Sequence, residues 1–443
     1  MTGNPAMLAK GPGLEDDAVQ LGRSVRLPVL LKRLRLKQLL PAATVAVLLG
    51  GCVPNRQSFP AVLYVAVSNP DGSQLTSESS ALFRKRFSHL VKNFQRIHPN
   101  VVVQVALYPE AQLRNKLQQR NRAGLSPDLI LTGSGVANTL LRAHLTDPLP
   151  ESPELRSASS PELLHRLRNR QGQLAGQPLM VFPQLACYDR RRLTKPPTSV
   201  NGLLRISAAG VPVGLPMEAR QLLWTAGTFG AIPGLYDASL GRKPNPQQTA
   251  QIRTWLSWMQ QASDQQRFNF LPDQTSLREA LIKGSVAWMS CSSGELDLLR
   301  KTMGTHLGVA SLPNGDGHSA SPVNRVRVLA LGRNSSPLQR QMALALIHFS
   351  VGPLVQRSLT LESFSFLPSN PNVRVPVQSS GVLQAMVESN QQARSSERLA
   401  SELHQGDPRL QSLQAKVIVP LLFGLVEPSV ATERLIAILR RNP

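Results

Sequence analysis

The sequence has few aromatic residues and few cysteines for its length. Phe, Trp and Tyr make up 5% of the 443 residues, with four Trp and four Tyr, and there are three cysteines. Three cysteines are too few for a disulfide-rich secreted scaffold, and their spacing to other Cys and His residues does not fit a structural zinc site. With 42% hydrophobic and 17% charged residues, the composition is that of a globular protein of two or three domains.

The motifs of common catalytic centres are also absent from the sequence. It contains no Gly-x-Ser-x-Gly elbow, no Walker-type phosphate loop and no His-Glu-x-x-His pattern. Carboxylates stand next to each other only within residues 15–17, and the eight histidines are isolated. We therefore expect a protein that is not an enzyme and that uses no metal and no cofactor.

Acidic residues are scarce compared with basic ones. The chain has 49 Lys and Arg against 27 Asp and Glu, a formal net charge of +22, and 38 of the basic residues are arginine. Such a charge favours nucleic acids or anionic surfaces as partners. The arginines are spread along the whole chain, however, and no zinc-finger, helix-turn-helix or RNA-binding aromatic motif accompanies them. We therefore expect no nucleic-acid partner, and binding of a cell-envelope polyanion stays an alternative.

The N-terminal segment has the layout of a secretory signal. Residues 32–37 are rich in Lys and Arg, and residues 39–49 are apolar but too short to cross a bilayer as a helix. Residues 49–52, Leu-Gly-Gly-Cys, resemble a bacterial lipobox, which implies that Cys52 is lipidated after cleavage. Residues 1–51 are then a lipoprotein signal peptide, longer than such a signal needs and pointing to a translation start downstream of Met1. Residues 52–58 are a lipidated tether.

Removal of residues 1–51 leaves most of the basic character in place. The mature chain keeps 42 basic and 24 acidic residues, a formal net charge of +18. It also keeps two cysteines, Cys187 and Cys291, each in an apolar or small-residue segment typical of a strand. Because a secreted protein folds in an oxidising compartment, these two form either one disulfide or two buried free thiols.

Apolar strands alternate with amphipathic helices at the start of the mature chain. Residues 62–67 and 101–108 form short runs rich in Val, and residues 128–131 form a third apolar run. Between the first two, apolar residues recur at helical spacing from Phe83 to Ile97. This β-α-β-α-β order predicts an α/β fold with an open parallel sheet covered by helices on both faces.

Several of these segments, taken in order, resemble a known family. The sequences of residues 94–103 and 126–130 look like the first lobe of family 1 extracellular solute-binding proteins, the receptors of sugar-type ABC importers. Residues 177–189 resemble the hinge and first strand of the second lobe, residues 277–289 a helix, glycine stop and strand of that lobe, and residues 307–313 the return crossing. The likeness spans nearly all of the mature chain.

The resemblance implies a two-lobed periplasmic-binding-protein fold, each lobe an open sheet flanked by helices, joined by a multi-strand hinge. We expect hinge crossings near Leu179–Pro183, near Val309–Asn314 and near Gly352. Lobe 1 then comprises residues 59–180 and 314–352, and lobe 2 residues 181–313 and 353–443. The resemblance also implies a monomer that works with ABC permease subunits and, through them, with an ATPase.

Polar residues that follow predicted strands are the candidates for ligand contact. In open α/β sheets, ligands bind beyond the carboxyl ends of the strands. Short polar side chains at these places also serve as local turn and cap residues, so each assignment has a purely structural alternative. The candidates are Ser68, Asn69, Asp71, Thr132, Ser134, Gln184, Arg220, Trp224, Ser292, Ser293 and Arg325, with Glu218 and Asn324 beside them.

The scarcity of aromatic residues bears on the ligand, because sugar receptors of this family stack pyranose rings on aromatic side chains. Trp224 and Trp288 are the best stacking candidates, although Trp288 lies in an apolar strand. A small sugar, a polyol, a glycoside or a sugar or glycerol phosphate fits better than a long oligosaccharide, and Arg220 or Arg325 suits a phosphate. A polyamine is disfavoured, because a cationic ligand needs acidic residues in its cleft.

The sequence thus predicts a lipid-anchored, extracytoplasmic receptor that captures a small carbohydrate-like solute by hinge closure and delivers it to a membrane permease. One alternative is a transport-inactive lipoprotein of the same fold that acts as a sensor or scaffold. Another is a binder of envelope polyanions, which would exploit the charge of +18.

Overall fold

The structure is a computed structural model that describes residues 60–69, 77–404 and 406–441, without the side chains of residues 77–86. The predicted signal peptide, the lipidation site Cys52 and the candidate Asp71 lie outside the described residues. The described residues belong to one compact unit.

The described strands belong to two sheets. They are β1 (Ala61–Asn69), β2 (Val101–Pro109), β3 (Leu129–Gly133), β4 (Thr146–Asp147), β5 (Gln177–Phe182), β6 (Gln184–Asp189), β7 (Val213–Pro216), β8 (Phe268–Leu271), β9 (Trp288–Ser292), β10 (Leu307–Ala310), β11 (Arg325–Gly332) and β12 (Leu367–Pro368).

Helices occupy the connections between the strands and the C-terminal region. They are α1 (Ser77–Ile97), α2 (Glu110–Arg122), α3 (Ser134–Arg142), α4 (Pro153–Ser157), α5 (Pro161–Arg166), α6 (Val200–Ala208), α7 (Ala219–Gly227), α8 (Ile232–Ser239), α9 (Pro246–Ser263), α10 (Gln274–Ile282), α11 (Leu296–Met303), α12 (Pro337–Val351), α13 (Pro353–Ser363), α14 (Gly381–Gln392), α15 (Glu397–Glu402), α16 (Pro408–Leu413), α17 (Val419–Leu422) and α18 (Pro428–Arg440). A π-helical turn, Gln414–Ile418, joins α16 to α17.

The first sheet has the strand order β12-β5-β11-β3-β1-β2, with β4 paired to β11. Strands β1, β2 and β3 are parallel, and Ala66 lies between Ala106 and Ile130 in the register. Residues Leu63 and Val65 to Val67 are at most 1% exposed, because helices cover both faces of the sheet. The prediction of an α/β lobe from the alternating pattern is confirmed.

The second sheet has the strand order β10-β6-β9-β7-β8. The chain enters it from the first sheet through Pro183, the single residue between β5 and β6, and returns through residues 311–324 between β10 and β11. Helix α9 packs on one side of this lobe, and its Trp255 and Trp258 are 2% and 3% exposed. Helix α18 packs against α9, so the C-terminal region completes the second lobe.

The predicted third crossing near Gly352 differs from the structure. Gly352 and Pro353 end α12 but also start α13, and β12 then pairs antiparallel with β5 of the first sheet. The Gln356 side chain donates a hydrogen bond to the carbonyl of Leu179, which holds α13 on the first lobe. The chain passes to the second lobe only after β12, where α14 packs on β6 and β10. The prediction of a crossing at Gly352 is wrong, because this glycine ends α12 while the chain stays on the first lobe.

Local capping accounts for the start of several helices. Ser336 caps α12 in a reciprocal arrangement with Gln339, and Pro337 occupies its first turn, where a missing N–H costs no hydrogen bond. Asn245 and Gln248 cap α9 in the same way.

In the part of the chain that the structure describes, no single helix is long and apolar enough to cross a membrane. Helices α12 and α13, taken together, are long and apolar enough, but they are bent by 64° at their junction.

Cys187 and Cys291 are joined by a disulfide, with sulfur atoms 2.00 Å apart. The bond links β6 to β9, antiparallel neighbours in the second sheet, and both residues are buried. Of the two arrangements open to these cysteines, the structure has the bridge.

Removal of this disulfide is expected to destabilise the protein. The bridge spans 104 residues of sequence, and closing a loop of that size restricts the unfolded chain strongly. The double variant Cys187→Ala/Cys291→Ala should lose about 2–4 kcal/mol of unfolding free energy, measured by urea denaturation. Dithiothreitol should lower the stability of the wild type and leave the variant unchanged. Two free thiols in the unreduced, denatured wild type would contradict the assignment.

Candidate ligand-binding cleft

In both sheets, the carboxyl ends of parallel strands lie on the side of the hinge. Strand β5 runs parallel to β1 and β3, because both β3 and β5 are antiparallel to β11, and β5 leads directly into the hinge. In the second sheet β6 starts at the hinge, and its first residue, Gln184, pairs with Ser292 at the end of β9. Strand β7 is parallel to β9. The carboxyl ends of β1, β3, β7 and β9 therefore all border the space between the lobes, where ligands bind in such folds.

A buried polar network fills the first lobe at this edge. The hydroxyl of Ser68 lies 2.9 Å from that of Thr132 and donates to Glu110 Oε2 at 3.0 Å. Arg327 donates to Ser68 Oγ at 3.2 Å and to the carbonyls of Ser68 and Leu131 at 2.6 and 3.0 Å. Its guanidinium also lies 3.7 Å from Glu110 Oε2. Four strands and helices are thus held together at the floor of the cleft.

This network changes the interpretation of two candidates. Ser68 and Thr132 are 1% and 0% exposed, and their hydroxyls already bond to each other. They support the cleft floor from below. Glu110 and Arg327 were not selected from the sequence, although one signal was present: Arg327 is a lone charge inside the apolar run 326–331. A charge in a buried strand needs a partner, and here the partner is Glu110.

Two further first-lobe candidates lie at the same edge. Asn69 is the last residue of β1 and is partly exposed. Ser134 is the first residue of α3, directly after β3, and is 4% exposed. Both are at the carboxyl ends of parallel strands, as the sequence predicts.

Gln184 acts within the hinge. Its amide nitrogen donates to the carbonyl of Gln221 at 2.8 Å, and its amide oxygen accepts from the backbone of Val323 at 3.2 Å. Asn324 completes the connection: its Oδ1 accepts from the backbone N–H of Gln184, and its Nδ2 donates to Asn390. These bonds tie together the two crossings and α14, so both amides position the lobes.

Trp224 does not face the cleft, and its prediction as a stacking residue is wrong. Its side chain is 0% exposed and its ring lies 6.4 Å from that of Trp288, which is equally buried. The helical register of α7 turns Trp224 toward the core of the second lobe. All four tryptophans of the chain are thus core residues, each at most 3% exposed.

The serine that ends β9 and the serine that follows it both make hydrogen bonds within the protein. Ser293 is 0% exposed and its hydroxyl donates to the carbonyl of Ser365 at 2.7 Å, which connects the second lobe to the segment before β12. The Ser292 hydroxyl accepts from the backbone of Gly294 at 3.4 Å as the cap of a short turn. Ser293 is therefore a link between lobes, and Ser292 borders the cleft edge.

Charged side chains from both lobes meet beside the hinge. Glu218 precedes α7 at the carboxyl end of β7; burial and the nearby Asp273 raise its pKa, and Arg325 opposes the rise. Arg220 lies in the first turn of α7, and its side chain donates to the carbonyl of Leu403. Burial and the nearby charge of Arg166 lower the pKa of Arg220 to about 9. Arg220 and Arg325, both predicted for the site, are close enough to influence each other.

Metal binding has no basis in the part of the chain described here. No group of three His, Cys, Asp or Glu side chains within it is arranged to hold a metal ion.

The Arg327–Glu110 pair should be important for stability. Replacing Arg327 by Met leaves Glu110 without its guanidinium in a mostly buried place and should cost about 3 kcal/mol of unfolding free energy. Glu110→Gln should cost less, and the double variant less than the sum of the two single changes. A double-mutant cycle by urea denaturation measures this coupling. Strict additivity would contradict the network.

Glu218 should make stability depend on pH. Since its folded pKa is raised above 4.5, the folded state binds the proton more tightly than the unfolded state. The stability that this tighter proton binding contributes is fully present when the pH is below the pKa of Glu218 in the unfolded state. It is lost as the pH rises through the pKa of Glu218 in the folded state. Glu218→Gln should therefore gain stability relative to the wild type as the pH increases from about 4 to about 8. Glu433→Gln, on the exposed face of α18, is the matched control. Parallel pH profiles for the wild type and Glu218→Gln would contradict the prediction.

Comparisons with known proteins agree with this architecture. A family model described as bacterial extracellular solute-binding protein matches residues 89–384. A search of curated proteins finds no match. Among solved structures, the GacH receptor of Streptomyces glaucescens has a TM-score of 0.65 at 17% identity, covering 85% of this chain and 97% of that one.

Two other structures are similar over the same extent. The maltose/maltodextrin-binding domain MalE of Bdellovibrio bacteriovorus has a TM-score of 0.62 at 15% identity, covering 86% of this chain and 98% of its own. An ABC transporter solute-binding protein of Thermotoga lettingae has a TM-score of 0.61 at 15% identity, covering 86% and 100%. They confirm the two-lobed fold.

The family match confirms the resemblance found in the sequence. It also confirms that the protein is a binding protein rather than an enzyme and that it works outside the cytoplasm. The chain belongs to the bacterial extracellular solute-binding protein family.

Proposed function

We propose that this protein is the substrate-binding protein of an ABC importer. It captures a small carbohydrate-like solute between its lobes, closes around it by hinge bending and delivers it to membrane permease subunits that are coupled to an ATPase. It acts as a monomer that a lipid on Cys52 tethers to the membrane.

One observation carries this proposal: the carboxyl strand ends of both sheets border one space beside a hinge that the chain crosses more than once. Two rigid lobes on such a hinge can enclose a ligand, and the ligand's preference for the closed form sets the degree of closure. Proteins of similar fold were solved with acarbose, maltotriose and tagatose. A similar protein from Agrobacterium radiobacter was solved with ribitol.

The chemistry of the cleft favours a small polar ligand. Because all four tryptophans are buried in the core, none can stack on a pyranose ring. Around the cleft edge lie instead Asn69, Glu218, Arg220 and Arg325, each at least partly exposed. Hydrogen bonds and charge therefore dominate recognition, as suits a polyol, a small sugar, a glycoside or a phosphorylated member of these classes.

The lipid anchor rests on the resemblance of residues 49–52 to a lipobox. The described strand β1 begins at Ala61, nine residues after Cys52, so residues 52–58 would serve as the tether of the first lobe.

Binding of a small solute should raise the thermal midpoint of the mature protein with Cys52→Ser. At a hundredfold excess over Kd, a ligand that binds only the folded state stabilises it by about 2.7 kcal/mol. Differential scanning fluorimetry with monosaccharides, disaccharides, polyols and their phosphates finds the class, and small-angle scattering should show compaction with the same solute. Silence across this panel would contradict the proposal.

The charge of +18 on the mature chain favours one second candidate, a binder of envelope polyanions. Its affinity would fall steeply with salt, because binding would release counterions. If the protein responds to heparin alone and the response is lost at high salt, polyanion binding is its function and the importer proposal is wrong.

A transport-inactive sensor or scaffold would bind a solute without supporting uptake in cells.

A further inference from the structure

Exposed apolar side chains are concentrated at one end of the first lobe, formed by residues 60–64, 96–102, 119–128, 142–148 and 332–340. We call it the amino end, because β1, β2 and β3 begin there. Ten large apolar side chains of the described residues are exposed. Single ones are ordinary on a protein surface, but a concentration of them marks a contact surface. Five of the ten belong to the amino end: Val62, Ile97, Val102, Leu125 and Leu338.

The start of β1 connects the first of the segments that carry these residues. Val62 and Val102 are register partners in the parallel pair of β1 and β2. Ile97 ends α1, three residues before Asn100, whose carbonyl accepts from the backbone N–H of Ala61 at 2.8 Å. The loop that follows Ile97 is therefore bonded to the first residue of β1.

Side chains bring the other two segments to the same strand. Arg120 lies over the ring of Tyr64 in β1, 4.5 Å from its centre, and donates to the carbonyl of Leu125 at 3.0 Å. Gln339 of α12, which follows the exposed Leu338, donates to a backbone carbonyl of β1 at 3.1 Å. All five exposed apolar residues thus lie on β1 or in segments that contact it.

The exposed charge of the amino end is basic. Its carboxylates are buried or paired: Asp128 is 2% exposed, and Asp147 forms an ion pair with Arg340. Glu151, on the next segment of the chain, is paired with Arg168. The described residues of the amino end therefore include no exposed carboxylate without a basic partner. Its exposed arginines are Arg96, Arg122, Arg142 and Arg333.

The lipid anchor of the proposed function would attach at this same end. Cys52 precedes Ala61, the first residue of β1, by nine residues. Nine residues span at most about 30 Å even when fully extended. A lipid on Cys52 would therefore keep the amino end within about 30 Å of the bilayer, through the covalent connection alone.

We propose that the amino end is a docking surface for an anionic phospholipid bilayer. The exposed apolar side chains enter the headgroup region, and the arginines bind lipid phosphates. Because the carboxyl ends of β1 and β3 lie at the other end of the same sheet, a docked protein directs its cleft away from the bilayer. It is held in an orientation suited to capturing solute, and it must leave the surface before its cleft can meet a permease. The part of this argument that uses the tether rests on the proposed function.

Vesicle binding by the mature protein with Cys52→Ser tests the surface without the lipid anchor. Vesicles of phosphatidylcholine alone are compared in co-sedimentation with vesicles that also contain phosphatidylglycerol. The protein should bind the anionic vesicles at least about tenfold more tightly than the neutral ones. On the anionic vesicles, hydrogen exchange should slow in residues 96–102 and 120–128 and stay unchanged in residues 420–430 of the second lobe.

Matched variants assign the binding to the amino end. Ile97→Ser/Leu125→Ser removes two exposed apolar side chains. Arg96→Gln/Arg122→Gln removes two exposed charges. Each double variant should weaken binding to anionic vesicles by about tenfold or more and should fold like the wild type, because all four sites are exposed. The controls make the same changes on exposed residues of the second lobe and should bind within about twofold of the wild type. They are Phe423→Ser/Leu425→Ser and Arg190→Gln/Arg434→Gln.

Selective loss in the two amino-end variants supports the docking surface, and three outcomes would overturn it. Equal binding to neutral and anionic vesicles, or to neither, would exclude an anionic bilayer as the partner. A loss in the second-lobe controls as large as in the amino-end variants would show that net charge alone attracts the protein to lipid. Self-association of the wild type without vesicles, abolished by Ile97→Ser/Leu125→Ser in analytical ultracentrifugation, would make a second copy the occupant. None of these outcomes alters solute binding, so the importer proposal is decided separately by the solute panel.

Discussion

The hydrogen bonds between Gln184 and Asn324 are the constraint on which the remaining arrangement depends. Gln184 follows the first crossing by one residue, and Asn324 ends the second, so the bond between them fixes the two crossings side by side. The other ends of the same amides reach α7 through Gln221 and α14 through Asn390. Both helices pack on strands of the second sheet, so the amides that join the two crossings also bond them directly to the second lobe.

Two buried arginines near this hinge, Arg327 and Arg166, differ in how completely their guanidinium groups are hydrogen-bonded. Under the first lobe, Arg327 is satisfied by two carbonyls, a hydroxyl and Glu110, and it stabilises the floor. Between the lobes, Arg166 has one carbonyl and a carboxylate at 3.7 Å, too long for a hydrogen bond. A fully satisfied buried network rigidifies the elements that contribute to it, and the Arg327 network does this for the first lobe.

The sequence predicted the fold well and the site less well. Strands such as β1 and β3 are local apolar runs, and the order of segments resembled the family, so the lobes and the carboxyl strand ends could be located. The direction in which a helical side chain points is harder to predict from sequence. Arg220 and Trp224 are both in α7, but only the packing of the second lobe shows that Trp224 is buried. The third crossing cannot be located at Gly352 from sequence, because a glycine that ends a helix looks the same whether the chain then changes lobe or continues on the same one.

The pairing of Arg166 with Glu397 had no signal in the sequence. The two residues are separated by most of the second lobe, and nothing local to either requires the other. Arg327 differs, because a single charge within an apolar strand demands a partner even when the partner is unknown. Local sequence therefore indicates that a buried charge exists more readily than it indicates what neutralises it.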